Sequence, residues 1–144
     1  MNLRNLLVLL AALIVSSCST VSGPKYSETP ALISPDQATV VVYRWSSLKG
    51  MAWQHPIHVD GKHVADVGSG NFTRFLVSPG THRVGVGPKA SKLAVDLTTV
   101  AGVTYFIEDH PGANLYAPDR FFVVDPAVGE KSVGGYSYQP AFSP

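Results

Sequence analysis

Cysteine is almost absent from this chain of 144 residues, because Cys18 is the only one. The chain therefore cannot form an internal disulfide, although exported domains of this size often carry them. It cannot build a zinc or iron–sulfur site from several cysteines, and no thiol after position 18 is available as a nucleophile. A domain formed by the remaining residues must be stabilised without covalent cross-links.

Charge of one sign is equally scarce. Eleven lysines and arginines stand against ten aspartates and glutamates, and no block of like charge occurs. Nucleic-acid binding needs clustered basic side chains that neutralise phosphates, so the composition disfavours this class of function. A polybasic patch for anionic lipid headgroups is absent for the same reason.

A long apolar run is also missing. Leu6–Val15 is apolar throughout, whereas a membrane-spanning helix needs about 20 such residues. Arg4 precedes the run and two serines end it before Cys18, an order typical of an export signal. Cys18 at the cleavage site resembles the lipobox of bacterial lipoproteins, in which the thiol receives a diacylglyceryl group. The alternatives are a retained transmembrane anchor, for which the run is short, and a buried or catalytic thiol.

Three segments are predicted along the chain. Residues 1–17 are the lipoprotein signal peptide, and residues 18–36 are the lipidated cysteine and a flexible tether rich in proline and hydroxyl side chains. A flexible coil of this length reaches on the order of 25 Å. Residues 37–144 form the folded domain, with an irregular tail beyond Val133.

The domain has the pattern of an all-β protein. Short runs of β-branched and aromatic residues alternate with turn signals, and no helical period appears after residue 18. Asp60-Gly61 predicts a two-residue hairpin and Pro79-Gly80 a tight turn. The fold class is a single antiparallel β-sandwich of about seven strands, Ig- or PEGA-like. The predicted strand segments are 38–45, a hairpin with arms 57–59 and 62–67 that counts as one, 71–77, 81–86, 92–100, 103–108 and 120–124.

Four stretches of the chain resemble, in their order and spacing, the sequences of bacterial lipoproteins that carry domain of unknown function 2846. They are Val40–Arg44, Ile57–Lys62, Val77–His82 and Ala101–Phe106. The resemblance runs from about Ala38 to Val133. It implies a PEGA-like sandwich and a non-enzymatic envelope module, and it supplies no catalytic residue and no cofactor.

Histidines are the candidate metal ligands. Across the predicted hairpin His58 pairs with His63, while Ile57 and Val64 pair on the opposite face. Paired side chains lie about 4.5–5.5 Å apart at Cβ, close enough to share an ion. A zinc site needs three or four ligands, and Asp66 is predicted to face the other way. The favoured interpretation is therefore a solvated face, with His58 and His63 as weak metal candidates.

Catalytic interpretations are weaker still. Asp109, His110 and Asp125 have the residue types of a catalytic triad, but no serine lies in a Gly-x-Ser-x-Gly elbow. No Gly-rich segment precedes a predicted helix, as a phosphate-binding loop would. His82 is predicted to be a core-rim histidine that hydrogen-bonds the backbone of the Pro79-Gly80 turn. No catalytic residue is assigned.

The segment 45–55 is the candidate partner-binding surface. It carries Trp45, Met51 and Trp53 in a stretch too irregular to be a strand, and such side chains dominate binding surfaces. The alternative is that the loop folds over an open end of the sandwich and buries Trp53 as a plug. The tail, with Tyr136 and Phe142, is either a last strand or an extension.

The sequence thus predicts a lipid-anchored, non-catalytic structural or protein-interaction module of the cell envelope. Ser19 after the cysteine is typical of outer-membrane delivery, with the domain facing the periplasm. The expected partners are the membrane, through the lipid, and an envelope protein of unknown identity. The alternative is a periplasmic small-ligand or metal-binding module that uses surface histidines, and an envelope hydrolase is the least supported.

Overall fold

The computed structural model describes residues 23–48, 50–87, 92–114 and 117–142. Cys18, the predicted signal peptide and residues 19–22 of the predicted tether lie outside the described residues. Within them lie nine strands, a 3-10 turn at Tyr26–Glu28 and one α-helix. The strands are β1 (Ala38–Arg44), β2 (His55–Val59), β3 (Lys62–Val67), β4 (Asn71–Val77), β5 (Gly80–Val86), β6 (Ala94–Thr99), β7 (Thr104–His110), β8 (Arg120–Val124) and β9 (Ser137–Tyr138), and the helix is α1 (Pro126–Val133).

The strands form two sheets, which confirms the predicted all-β sandwich. One sheet has the order β8-β7-β1-β4-β9 and the other the order β3-β2-β5-β6. The sheets are not purely antiparallel, because β7 pairs parallel to β1 and β9 pairs parallel to β4. The turn at Ala101-Gly102 carries the chain from β6 across to the other sheet, where β7 starts at the same end as β1.

Strand β1 is buried along its whole length because it is central in its sheet and both faces are covered. Val40 and Val42 face the four-stranded sheet and belong to the main core cluster. Val41 and Tyr43 face outward into a second cluster with residues of α1 and the tail. Adjacent strand residues point to opposite faces, so one run of apolar residues serves both clusters.

The structure differs from the predicted flexible tether over residues 23–36. Lys25 forms a β-bridge with Ser137, and the Tyr26 ring packs edge-on against Phe72 with centroids 5.3 Å apart. Farther along, Arg74 donates a hydrogen bond to the carbonyl of Pro30. These contacts hold the segment against the five-stranded sheet. The segment was predicted to be flexible because it is mainly polar, and the packing of its one aromatic residue, Tyr26, was not foreseen.

Helix α1 is absent from the sequence prediction, which found no helical period. Its start has a clear signal, because Asp125 accepts a hydrogen bond from the Ala127 amide at 2.9 Å and Pro126 is the first helical residue. Gly129 lets the helix approach the Phe106 ring, since a Cβ there would lie 2.3 Å from a ring carbon. In the described residues no helix is long and apolar enough to cross a membrane.

Candidate functional site

One end of the sandwich, where β1 ends and β2 begins, combines buried charged groups with exposed apolar side chains. The loop between these strands, residues 45–54, is called the lip here. Its base is tied to the five-stranded sheet, since the Trp45 amide donates to the Asp109 carbonyl at 3.0 Å and the Gly70 amide to the Arg44 carbonyl at 3.0 Å.

Arg44 determines the shape of the lip. It is the last residue of β1 and points between the sheets, where it is almost fully buried. Its guanidinium donates to the carbonyls of Trp53 at 2.6 Å and Gly50 at 3.3 Å. Its Nε lies 3.6 Å from a carboxylate oxygen of Asp109. A buried cation needs such partners, and here two of them are backbone groups of the lip.

The large apolar side chains of the lip point outward. Leu48 is 87% exposed, Met51 63% and Trp53 70%. The prediction that Trp53 plugs the sandwich is therefore wrong. Trp45 is half-exposed and lies against the His110 ring, with centroids 4.7 Å apart. The buried Arg44, and not a tryptophan, occupies the space that a plug would fill.

Beneath the lip, His55 and two aspartates meet. His55 is the first residue of β2, Asp109 lies on β7 of the other sheet, and Asp119 immediately precedes β8. His55 Nδ1 is 2.5 Å from Asp109 Oδ2, and His55 Nε2 is 3.9 Å from Asp119 Oδ2. One donor atom from each residue falls in a group in which all separations are within 4.8 Å. This arrangement can hold a cation.

The Asp109 carboxylate is the least accessible of the three groups. Its side chain is 1% exposed, and one oxygen lies near both His55 and Arg44. The other oxygen, Oδ1, is buried and has no hydrogen-bond partner among the described residues. A buried carboxylate oxygen without a partner is rare and destabilising, and it indicates a group that the fold alone does not satisfy.

A second buried carboxylate, Glu108, lies next to Asp109 on the outer face of the same sheet. The Tyr43 hydroxyl donates to it at 2.7 Å. Burial, and then the hydrogen bond to Glu108, raises the pKa of Tyr43 far above its ordinary value. Burial followed by the nearby Glu108 charge also raises the pKa of Tyr136. Both phenols therefore stay neutral, and the hydrogen bond between Tyr43 and Glu108 joins β1 to β7.

His58 and His63 are cross-strand partners, as the sequence predicts, and their rings stack with centroids 5.0 Å apart. Their ring nitrogens have other partners, since His58 Nδ1 lies 3.1 Å from the Pro56 carbonyl and His63 Nε2 lies 2.9 Å from Asp66. The predicted pairing of Ile57 with Val64 is wrong, because a bulge pairs Ile57 with Ala65.

That bulge also changes which side chains can meet around the histidine pair. The alternation of an unbroken strand predicts that Asp66 and His63 face opposite sides of the sheet. The extra residue of the bulge shifts this alternation, so the Asp66 carboxylate reaches the ring of His63, three positions earlier. Even so, the one group of three close histidine or carboxylate donors in the described residues is His55, Asp109 and Asp119.

The remaining candidate residues lie apart from one another. His82 Nε2 contacts the Ser78 carbonyl at 2.7 Å, which is the predicted backbone contact of the turn. Asp125 caps α1, whereas His110 lies under Trp45, so Asp109, His110 and Asp125 do not form a triad. Of the tail, Ser137–Tyr138 forms the last strand, and Phe142 contacts the His63 ring at its edge.

A groove of 720 Å³ lies away from the lip, between β3, β4 and the tail. Its lining is mainly apolar and includes Leu32, Phe75 and Phe142, with His63 and His82 at its border. The lip and the His55 group take no part in it.

Sequence reasoning missed Arg44, His55 and Asp119 as site residues. A weak signal exists for Arg44, which is the only charged residue of β1 and ends an apolar run. Asp109 stood out in the sequence, but with the wrong partners. The three-residue group joins positions that are 54 and 10 residues apart, and only the packing of the two sheets brings them together.

Comparison with known proteins gives one match. A family model described as a protein of unknown function, DUF2846, matches residues 34–118. No curated protein matches the chain, and no solved structure matches it. The matched residues include the lip, His55 and Asp109 and end one residue before Asp119. Since the match covers more than half of the chain, the protein belongs to the DUF2846 family.

Proposed function

We propose that this protein is a lipid-anchored, non-catalytic interaction module of the cell envelope, and that the lip binds an envelope protein. The observation that carries this proposal is the contrast within the lip between a fixed backbone and exposed side chains. Arg44 holds two of its carbonyls, yet Leu48, Met51 and Trp53 remain in solvent.

A fixed apolar loop suits protein recognition for an energetic reason. Binding costs free energy when loops and side chains must be ordered, and a loop that is already ordered avoids much of that cost. Tryptophan is among the residues that most often dominate binding energy when a pocket of the partner buries it. Two adjacent turns, closed by the amides of Met51 and Trp53, present these side chains together.

The low charge of the lip favours a protein over the bilayer as the partner, and the N-terminal segment, which meets the fold near the lip end, leads away from it. Strand β9 runs parallel to β4, away from the lip. Lys25 bridges Ser137, and the Pro24 carbonyl accepts from the Tyr138 amide at 2.9 Å. From Lys25 back to Gly23 the backbone therefore runs away from the lip. The lip also contains a single charged residue, Lys49, too few for electrostatic attraction to anionic lipids.

The anchor is supported by the order of the charged, apolar and small residues before Cys18. Stable anchoring requires more than one acyl chain, which lipoprotein processing supplies. We expect Cys18→Ser to move the protein from the membrane fraction to the soluble fraction. Unchanged membrane association of this variant would contradict lipid anchoring at Cys18.

Site-directed photo-crosslinking tests the lip. A photoreactive amino acid is placed at Met51 and, as a matched control, at Val103, an exposed apolar position at the opposite end of the sandwich. In native envelopes we expect one protein adduct of defined mass from position 51 and none from position 103. An excess of purified protein should compete this adduct away, and its Trp53→Ala variant should not.

Two outcomes would overturn the lip as a protein-binding surface. The first is equal adducts from both positions, and the second is an adduct from position 51 that contains lipid alone. Identification of the captured protein by mass spectrometry then names the partner.

A further inference from the structure

We propose that His55, Asp109 and Asp119 form a binding site for a divalent transition-metal ion, of which zinc is the best fit. The site lies beneath the lip, between the two sheets. This inference rests on the geometry of these three residues and does not depend on the proposed anchor or on the protein-binding lip.

The donor set fits zinc. One imidazole nitrogen and two carboxylate oxygens lie within 4.8 Å of one another. Zinc binds such donors at about 2.0–2.2 Å, which places the donors of a tetrahedral site about 3.4 Å apart. The imidazole favours zinc or a related transition metal over magnesium and calcium, which prefer all-oxygen sites. Three protein ligands leave one position for water or for a donor from a partner.

The adjustment needed to bind the ion is small. His55 is the first residue of its strand and Asp119 lies in the segment before β8, so both side chains are at the ends of elements. Asp109 is fixed within β7. One ion can take only one nitrogen of the ring, and Nδ1 is the nitrogen that faces Asp109. Its 2.5 Å separation from Asp109 Oδ2 must widen by about 0.9 Å to reach the separation of two zinc ligands.

The buried oxygen of Asp109 is an independent observation that indicates a ligand. Oδ1 has no hydrogen-bond partner among the described residues although the side chain is 1% exposed. An ion bound by both oxygens of the Asp109 carboxylate would satisfy it. The neighbouring Arg44 does not, because its Nε lies near the other oxygen and its remaining nitrogens donate to the lip.

The balance of charge also favours a cation. Two carboxylates and the Arg44 guanidinium leave one negative charge in excess when His55 is neutral. His55 Nδ1 lies 2.5 Å from Asp109 Oδ2, so an ion bound at this nitrogen replaces the hydrogen bond between the two groups.

Equilibrium dialysis of the full-length protein in detergent, stripped with chelator, tests the site. We expect one zinc ion per chain and no binding of magnesium at the same concentration. Asp119→Asn should weaken zinc binding at least tenfold, while its amide oxygen can still accept the hydrogen bond that the Gly112 amide donates at 2.9 Å. His63→Gln is the matched control, since it removes a histidine of the surface pair, and it should leave zinc binding unchanged.

Cobalt gives a second readout that reports on the ligands directly. We expect cobalt in the wild-type protein to give visible absorption bands of a low-coordinate site, lost in both Asp119→Asn and His55→Gln. Circular dichroism of the metal-free variants checks that each has folded. If one variant does not fold, the other variant is used, together with the increase in thermal stability of the wild type on adding zinc.

Three results would overturn the proposal. They are no zinc binding by the wild type, zinc binding that survives both Asp119→Asn and His55→Gln, and zinc binding that His63→Gln abolishes. The last would move the site to the surface pair of His58 and His63.

Discussion

The two ends of the sandwich solve the same problem, closing the space between the sheets, in opposite ways. At the lip end the closure is made by buried charged groups, Arg44 and Asp109, beneath a loop of ten residues. At the other end the chain turns through the short connections at Asp60-Gly61, Pro79-Gly80 and Ala101-Gly102. The first end leaves a buried carboxylate oxygen without a partner among the described residues, whereas the second closes through tight turns.

The turn end pairs its polar side chains with one another and with the backbone of the turns. His82 lies 2.7 Å from Asp60 through Nδ1 and 2.7 Å from the Ser78 carbonyl through Nε2. The second Asp60 oxygen accepts from the Arg83 amide at 2.8 Å, and Thr99 donates to the Ser78 carbonyl at 2.9 Å. Departures from such satisfaction concentrate at functional sites. The comparison therefore supports the proposal that the lip end carries the function.

Removing Arg44 is the most severe test of this comparison. In Arg44→Met the Asp109 carboxylate stays buried without its guanidinium, and two lip carbonyls lose their donor. Loss of one partner of a buried ion pair costs about 3–5 kcal/mol. We expect the free energy of unfolding, measured by urea denaturation, to fall by about that amount.

Arg83→Met is the matched control. Arg83 also pairs with an aspartate, Asp96, at 2.9 Å, but both side chains are substantially exposed. An exposed pair contributes about 0–1 kcal/mol. Equal losses in the two variants would mean that burial does not distinguish the lip end.

Glycine substitutions compare the two ends at the backbone. Gly50 in the lip and Gly102 at the turn end both have positive φ, 69° and 75°. A Cβ at Gly102 meets nothing within 4 Å, whereas at Gly50 it would lie 2.8 Å from an Arg44 guanidinium nitrogen. We expect Gly102→Ala to cost about 1 kcal/mol for the left-handed backbone and Gly50→Ala about 2–3 kcal/mol, because Arg44 must also move.

Urea denaturation measures both glycine variants. The lip makes a second prediction, since displacing Arg44 loosens it: only Gly50→Ala should weaken the crosslink from position 51. A larger loss of stability in Gly102→Ala than in Gly50→Ala would contradict the role of Arg44 as the support of the lip.

The same contrast explains what could be predicted from the sequence. The turns at the turn end depend on short-range chemistry, so Asp60-Gly61 and Pro79-Gly80 fall where the sequence puts them, and the bounds of β4 and β8 match the predicted segments. Period-2 alternation likewise places Leu97 in the core. These features depend on residues within a few positions of one another.

The lip end could not be predicted because its contacts are long-range. Asp109 contacts Arg44 and His55 only once the strands have paired and the two sheets have packed together. No local sequence pattern predicts a buried ion pair between Arg44 and Asp109. Helix α1 was missed for a different reason: it has eight residues, too few for a clear helical period, although Asp125-Pro126 marks its start. The bulge in the β2–β3 hairpin likewise changed the facing of Asp66 without any glycine to signal it.

The smallest expected effect is a pH dependence of folding stability that arises at the turn end. The hydrogen bond to Asp60, partly offset by burial, raises the pKa of His82 above its unfolded value of 6.5. A raised pKa means that the protonated form stabilises the fold below about pH 6.5 and that this stability is lost as the pH rises through the folded-state pKa. Asp60 is half-exposed, so the effect is below about 1 kcal/mol.

Asp60→Asn keeps a residue that tolerates the positive φ of 51° but removes the charge. We expect the stability difference between wild type and Asp60→Asn, measured in urea, to be larger at pH 5.5 than at pH 8.5. A difference that is equal at the two pH values would show that Asp60 acts only through the turn and the Arg83 amide, and that the turn end does not depend on charge.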